Sequence, residues 1–242
     1  MPPSPSSRRK RVPDMPKKKL SPEEKRRARE ARDRVFYRRA HRALAGFFRV
    51  FLRVHATGVE NLPEAGGCLV CSNHISAMDA IAIAAVCPRQ IRFLAKKELF
   101  RVPLIGWFIR RLGAFSVDRG ASDVAAIKKI IAVAEEGEVV SIFPQGHRYA
   151  GMNPADTPIK SGAGMVALRA GCPVLPVAVK TKRQRYTLFR RVELVFGTPI
   201  PVADLCDAEL SGKEAYAAAS ATIFREICTL GGWEASQKEA QA

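Results

Sequence analysis

A histidine and an aspartate stand five residues apart, directly after a short apolar run. The segment Asn73-His74-Ile75-Ser76-Ala77-Met78-Asp79 follows Cys68-Leu69-Val70-Cys71. A carboxylate can hold a histidine in one tautomer, and the other ring nitrogen can then take a proton from a hydroxyl. The pair therefore predicts general base chemistry. No serine or cysteine nucleophile stands obviously beside it, so we expect direct attack by a substrate hydroxyl.

The spacing of the pair requires a bend in the chain. Five residues along a continuous helix turn through roughly 500°, which would leave the two side chains on different faces. We predict that Ser76 is the N-cap of a helix over residues 77–86. His74 then lies on a strand-to-helix loop and Asp79 in the first helical turn, where the two can meet. The alternative is an ordinary loop or core histidine.

A second polar segment follows another predicted strand. Residues 138–143 have the β-branched and aromatic content of a buried strand, and Pro144 and Gly146 end it in a tight loop. Backbone N–H groups near a glycine can point at an anion, and the guanidinium of Arg148 fits a phosphate bidentately. This loop therefore predicts a phosphate site. His147 adds charge there when it is protonated; the alternative is a solvated loop histidine.

Four segments, in this order and at these intervals, resemble the four blocks of the glycerophospholipid acyltransferase family. They are residues 73–79, 113–119, 143–148 and 175–179, and the resemblance spans roughly residues 57–198. It implies that His74 is the general base and Asp79 its orienting partner. The family associates the arginine of its second block, here Arg119, with the phosphate of the acceptor. Lys160 begins a stretch similar to the family's basic helix start, which makes it a candidate for phosphate or acyl-carrier contact.

The third block departs from the family's usual Phe-Pro-Glu-Gly-Thr-Arg. Gln145 replaces the glutamate and His147 the threonine, while Gly146 and Arg148 are retained. Glutamine keeps the shape of glutamate without its charge, which makes the loop more attractive to an anion. We expect all four residues, Gln145 to Arg148, to contact the acceptor. The departure bears on the identity of the acceptor more than on the chemistry.

The resemblance implies transfer of a fatty acyl group to the free hydroxyl of 1-acyl-sn-glycerol 3-phosphate, which gives phosphatidate. The donor would be acyl-CoA or an acyl-carrier protein. A thioester is already activated, so we expect no metal or redox cofactor. Glycerol 3-phosphate or another lysolipid, such as a lyso-aminolipid, is an alternative acceptor. A catalytically silent membrane protein and a basic nucleic-acid-binding protein are alternatives outside the enzyme class.

Most of the net charge of +17 belongs to the N-terminal segment. Residues 1–53 contain 18 Lys and Arg against 5 Asp and Glu, which leaves +4 for the other 189 residues. We predict a disordered basic tail over 1–20, a basic amphipathic helical region over 21–56, an acyltransferase domain over 57–232 and a C-terminal tail over 233–242. The nearly neutral body argues against a nucleic-acid partner.

The segment from residue 34 to residue 55 has an apolar face and a basic face. On a helical projection, six residues fall within about 120°: Phe36, Ala40, Leu44, Phe47, Phe48 and Phe51. Four arginines, at 38, 42, 49 and 53, lie opposite. Such a helix lies in a bilayer interface, with its arginines at anionic headgroups. The alternative is packing on its own domain. We expect a monotopic or peripheral protein on the cytoplasmic face, with no spanning helix.

Downstream, short apolar strands alternate with helices. Strands are predicted at 67–72, 91–95, 114–117, 139–143, 173–179 and 191–196, and helices at 77–87, 97–111, 122–136, 160–170 and 213–229. This alternation predicts a single-domain α/β sandwich around a largely parallel or mixed sheet. The six cysteines form no disulfide framework, and Cys68 and Cys71 are predicted to be buried free thiols.

Overall fold

The computed structural model describes residues 53–117 and 123–236, together with residues 21, 46 and 50. These residues contain one seven-stranded sheet with the strand order β1-β7-β6-β2-β5-β3-β4. The strands are β1 (Val54–Thr57), β2 (Cys68–Ser72), β3 (Ile91–Lys96), β4 (Ala114–Val117), β5 (Val139–Ile142), β6 (Val174–Thr181) and β7 (Val192–Phe196). The helices are α1 (Met78–Val86), α2 (Lys97–Arg101), α3 (Pro103–Arg111), α4 (Asp123–Glu135), α5 (Gly162–Ala170) and α6 (Gly212–Gly231).

Five neighbouring strands of the sheet are parallel. β2 pairs in parallel with β5 and β6, and β3 pairs in parallel with β5 and β4. β7 is antiparallel to β6, and β1 is parallel to β7. The prediction of an α/β fold with a largely parallel, mixed sheet is confirmed. The carboxyl ends of β2 to β6 meet at one edge, which we call the carboxyl edge, where ligands of such sheets bind.

Helices cover both faces of β2. Cys68 and Val70 belong to one apolar cluster, with Ala82 and Ile83 of α1. Leu69 and Cys71 belong to the other, with side chains of α4, α5 and α6. Every residue of β2 is buried. This explains why the strand is a continuous apolar run and not an alternating one.

Several sequence predictions of secondary structure and domain organisation need correction or lie outside the described residues. Residues 54–56, predicted as part of the amphipathic region, belong to strand β1. The helix predicted over 97–111 is divided, because Pro103 lacks a backbone N–H and begins a new helix, α3. Of the amphipathic helix itself, residues 46 and 50 are described and are helical, whereas Arg53 of its predicted basic face is described and is not helical. The membrane role of this helix stays a prediction. Residues 1–20 and 237–242 lie outside the described part.

The cysteines are free thiols, and five of the six are buried. This confirms the prediction for Cys68 and Cys71. Burial raises the pKa of Cys68 and of Cys87 to about 12. No helix in the described part of the chain is both long and apolar enough to cross a membrane.

Candidate active site

His74 lies on the loop that follows β2 at the carboxyl edge. The preceding residue, Asn73, extends the pairing of β2 with β6 through its side chain. Its amide nitrogen donates to the carbonyl of Val179 (3.0 Å), and its amide oxygen accepts the N–H of Val179 (2.7 Å). Asn73 is fully buried, so these two bonds satisfy both ends of its amide. They fix the point from which the loop leaves the sheet.

Asp79 binds the His74 side chain from the first turn of α1. Its Oδ2 lies 2.8 Å from His74 Nδ1 and also accepts the backbone N–H groups of Ile75 (2.7 Å) and Ser76 (2.8 Å). The aspartate side chain is fully buried, and that of His74 is 13% exposed. The predicted meeting of His74 and Asp79 is confirmed.

The bend before α1 differs in detail from the prediction. Ala77, and not Ser76, occupies the N-cap position of α1. Ser76 still contributes, because its Oγ accepts the N–H of Met78 at 3.2 Å. Asp79 fixes the loop before the helix, since its carboxylate in the first turn accepts the N–H groups of Ile75 and Ser76. The same carboxylate therefore shapes the loop and orients the imidazole.

The pairing with Asp79 assigns the roles of the two ring nitrogens. A carboxylate accepts hydrogen bonds, so Nδ1 of neutral His74 carries the proton and Nε2 is the acceptor. The Asp79 carboxylate also stabilises the imidazolium that forms when Nε2 takes a second proton. The arrangement suits a general base directed at a hydroxyl.

The loop after β5 holds His74 by three contacts. The ring of Phe143 stacks on the imidazole, with centroids 3.8 Å apart and planes inclined by 14°. Gln145 Oε1 accepts the backbone N–H of His74 at 2.5 Å. The backbone N–H of Tyr149 donates to the carbonyl oxygen of His74 at 2.8 Å. The first and third motif segments therefore form one unit, which the sequence did not indicate.

Gln145 does not face the acceptor site as predicted. Its side chain is 2% exposed, and its Nε2 donates to Thr157 Oγ1 at 2.6 Å. Thr157 Oγ1 in turn donates to the carbonyl oxygen of Pro154 at 2.6 Å. The amide is thus engaged with the protein at both ends. We correct the prediction: Gln145 positions the His74 backbone.

The cationic residues of this loop are exposed. Gly146, His147 and Arg148 all lie on the surface, as does Lys160. Lys160 passes over Gly146, since a Cβ at that glycine would lie 3.0 Å from Lys160 Cδ. Gly146 also has a positive φ of 68°, a conformation that glycine adopts without strain. The structure therefore brings Lys160 to the third block.

Comparisons with known proteins identify the family of this chain. The acyltransferase family matches residues 53–180. A 1-acyl-sn-glycerol-3-phosphate acyltransferase of Bacillus subtilis is 35% identical over 171 residues, which are 69% of this chain and 83% of the relative. The chain belongs to the glycerophospholipid acyltransferase family. An enzyme of the same name from Streptococcus pneumoniae is 32% identical over 64% of this chain and 58% of its own.

A solved structure shows the same fold. The crystal structure of the 1-acyl-sn-glycerophosphate (LPA) acyltransferase PlsC from Thermotoga maritima aligns with a TM-score of 0.63 at 23% identity. The alignment covers 86% of this chain and 85% of that one.

This acyltransferase has an apolar cavity of about 530 Å³ beside the third block. Phe143, Gly146, His147 and Lys160 line one part of it. Apolar side chains of β3, α4 and α5 line the rest: Leu94, Ile127, Ile130, Met165 and Val166. Phe143 therefore contacts the His74 ring and also lines the cavity.

Arg119, the predicted phosphate-binding residue of the second block, lies outside the described residues. Three residues that contact the site were not singled out from sequence: Tyr149, Thr157 and Tyr186. Tyr186 packs on the same apolar cluster as α1. Its hydroxyl and Asp79 Oδ1 are both buried, and neither has a hydrogen bond of good geometry within the described part of the chain. Burial raises the pKa of Tyr186, and the nearby Asp79 carboxylate raises it further.

Proposed function

We propose that this acyltransferase transfers a fatty acyl group from an acyl thioester to the free hydroxyl of 1-acyl-sn-glycerol 3-phosphate, giving phosphatidate. The observation that carries the mechanism is the 2.8 Å contact between His74 Nδ1 and the buried Asp79 carboxylate at the carboxyl edge. The names of the relatives from Bacillus subtilis and Streptococcus pneumoniae support this choice of acceptor.

The reaction follows from the assigned nitrogen roles. His74 Nε2 takes the proton of the acceptor hydroxyl while its oxygen attacks the thioester carbonyl. The tetrahedral intermediate then collapses, the carbon–sulfur bond breaks, and the thiolate receives the proton from the imidazolium. Asp79 stabilises the imidazolium between these steps. Because the thioester is already activated, this mechanism requires no metal or redox cofactor.

The cationic loop binds the phosphate of the acceptor in this proposal. Arg148, His147 and Lys160 are exposed on and beside the loop that holds His74, and the Lys160 side chain lies over Gly146. Arginine can bind two phosphate oxygens at once, whereas lysine acts as a point charge. The family resemblance adds Arg119 to this set.

The apolar cavity receives an acyl chain, and we assign it to the chain of the donor. Its volume of about 530 Å³ is in the range of small-molecule sites, and its lining is mainly apolar. The cavity reaches Phe143 and His147, so a chain held there places its thioester near His74. The donor is acyl-CoA or an acyl-carrier protein.

The N-terminal segment holds the enzyme on the membrane. Its predicted arginine-lined helix would bind anionic headgroups, and the catalytic domain would face the cytoplasm. The lysophospholipid acceptor would already be in that bilayer.

The deciding experiment is transfer of labelled acyl groups from acyl-CoA and from acyl-carrier protein to a panel of acceptors. The panel contains 1-acyl-sn-glycerol 3-phosphate, glycerol 3-phosphate and a lyso-aminolipid. His74→Ala should retain the circular dichroism spectrum of the native protein and lose about 10²–10⁴-fold in rate. Asp79→Asn should lose as much or somewhat less. Native turnover by folded His74→Ala would refute the mechanism, and preferred transfer to another acceptor would refute the substrate.

A further inference from the structure

The hairpin connection between β6 and β7 concentrates positive charge. Residues 180–191 contain six Lys and Arg and no Asp or Glu. The whole stretch from residue 54 to residue 242 has a net charge of +4, so without this segment its balance would be −2. Five of the six cations are exposed: Lys182, Arg183, Arg185, Arg190 and Arg191. We call residues 182–191 the β6–β7 loop.

Two large apolar side chains lie exposed within this loop. Leu188 is 58% exposed and Phe189 is 59% exposed, and Arg190 and Arg191 follow them directly. Three residues of the loop, Arg183, Gln184 and Phe189, have positive φ angles without being glycine. Such conformations cost energy, and they persist where the surrounding structure determines them. The loop thus has a defined shape that combines adjacent apolar groups with cations.

The loop also contacts the active site. It leaves the sheet after β6, whose carboxyl end lies at the same edge as His74. The carbonyl oxygen of Gln184 accepts the N–H of Gly151 at 2.8 Å, shortly after the third block. Tyr186 lies beside Asp79, which raises its pKa in addition to the effect of burial. A surface that binds this loop therefore lies next to the catalytic residues.

We propose that the β6–β7 loop is a docking surface for an anionic lipid bilayer. Leu188 and Phe189 enter the boundary of the acyl chains, and Arg190 and the other exposed cations of the loop bind lipid phosphates. Arg191 pairs with Glu193 at 2.9 Å and is not counted among them. Docking at this point brings the carboxyl edge against the membrane. The docking itself does not depend on the proposed function, although a lipid acceptor gives it a purpose.

The apolar pair favours a bilayer over other anionic partners. Duplex DNA or an acidic carrier protein would be bound mainly through the cations, with a strong dependence on salt. Insertion of Leu188 and Phe189 is not screened by salt, because it comes from burial of apolar surface. A bilayer is therefore distinguished from a nucleic acid or a carrier protein by two properties. Its binding persists in part at high salt, and it depends on Leu188 and Phe189.

The first test places a tryptophan in the loop of the full chain. Phe189→Trp is compared with Leu210→Trp, which replaces another exposed apolar residue before α6, and with the native protein. Vesicles of phosphatidylglycerol and phosphatidylcholine carry bromine on their acyl chains. We expect added quenching and a blue shift for Phe189→Trp and neither for Leu210→Trp. Equal, weak quenching of the two variants would overturn the insertion.

The second test measures co-sedimentation with the same vesicles without bromine. Leu188→Ser/Phe189→Ser should weaken binding about tenfold or more at low and high salt. Arg183→Asn/Arg190→Gln should weaken it about tenfold at low salt only, and asparagine tolerates the positive φ at position 183. The matched control, Lys213→Gln/Arg225→Gln, removes two exposed cations of α6 and should bind as the native protein does.

Three outcomes would overturn the proposal. One is unchanged vesicle binding by the serine variant. Another is equal loss in the control. The third is that the native protein binds duplex DNA or an acidic carrier protein and that the serine variant loses this binding as strongly as it loses vesicle binding. Because these measurements need no turnover, an inactive but vesicle-bound protein would refute the proposed function and leave the docking surface intact.

Discussion

Gln145 donates a hydrogen bond to Thr157 Oγ1 at 2.6 Å, and the direction of this bond is fixed. The threonine hydroxyl has one proton, which it gives to the carbonyl oxygen of Pro154 at 2.6 Å. It can therefore only accept from position 145. The amide supplies that proton, and its oxygen accepts the N–H of His74. A glutamine at this position thus matches Thr157, although the family usually has a glutamate.

The first prediction is that Gln145→Glu destabilises the protein. An ionised glutamate side chain has no proton to donate to Thr157 Oγ1. It would compete with the carbonyl oxygen of Pro154 for the one proton of the threonine hydroxyl. We expect a loss of about 1–3 kcal/mol in the free energy of unfolding, because a buried group is left without its partner. Urea denaturation measures this loss. Thr157→Val should reduce the additional effect of Gln145→Glu, which a double-mutant cycle detects.

The same variant tests the corrected role of Gln145. Its KM for the phosphorylated acceptor should stay near the native value, while kcat falls because His74 is displaced. Arg148→Ala is the matched contrast. Loss of that exposed cation should weaken binding of the acceptor by about 1.5–3 kcal/mol and so raise the acceptor KM. If Gln145→Glu instead raises only the acceptor KM and leaves the stability unchanged, Gln145 contacts the acceptor directly, as the sequence predicted.

The second prediction concerns Tyr186, which lies beside the Asp79 carboxylate. The raised pKa keeps its phenol protonated, so it can donate toward Asp79 Oδ1. Tyr186→Phe should lower kcat about three- to tenfold with little change in KM, because the lost hydrogen bond acts on His74 only through Asp79. An unchanged kcat would show that the Tyr186 hydroxyl does not act on the His74–Asp79 pair.

The third prediction tests the cavity as the site of the donor chain. Ala126 on α4 lines the cavity, and Ala126→Phe would fill part of it. We expect the ratio of kcat/KM for long over short acyl donors to fall about tenfold. Ala132→Phe on the exposed side of the same helix is the control and should leave the ratio unchanged. Equal chain-length profiles for the two variants would place the donor chain elsewhere.

The fourth prediction is a loss of stability at high pH. Burial raises the pKa of Cys68 and Cys87 from 9.0 to about 12, so the unfolded chain releases these protons first. The stabilisation is complete below pH 9 and is lost as the pH rises from 9 to 12. Each thiol contributes roughly 1 kcal/mol per pH unit in that window. Cys87→Ala should flatten the decline measured by urea denaturation, and an unchanged slope would contradict the assignment.

Local patterns in the sequence predicted the parts of the site that depend on neighbouring residues. His74 and Asp79 are five residues apart, and the start of a helix between them is enough to bring them together. The strands that surround the site were also predicted, because their buried apolar runs are short and end at turn residues. Strand β1 was missed, since Val54–Thr57 has only four residues and follows a basic helical pattern.

Contacts between distant segments were not predictable in the same way. Gln145 was expected to bind the acceptor because its loop has the composition of an anion site, but its burial depends on Thr157 and on the backbone of His74. Tyr186 lies far from Asp79 in the sequence and belongs to a segment that is otherwise strongly basic. Its place beside the carboxylate follows from the sheet order, in which β6 is next to β2.

The antiparallel pairing of β6 with β7 makes their connection exchangeable. Parallel strands require a long crossover, usually a helix that is part of the core, whereas antiparallel strands need only a hairpin. Residues 187–191 lie between Tyr186, which is anchored beside Asp79, and the first residue of β7. Their length and composition can change while the catalytic pair stays in place. A related chain could thus acquire a different membrane preference by exchanging this one segment. Grafting another segment at residues 187–191 is therefore a way to direct the enzyme to a different membrane.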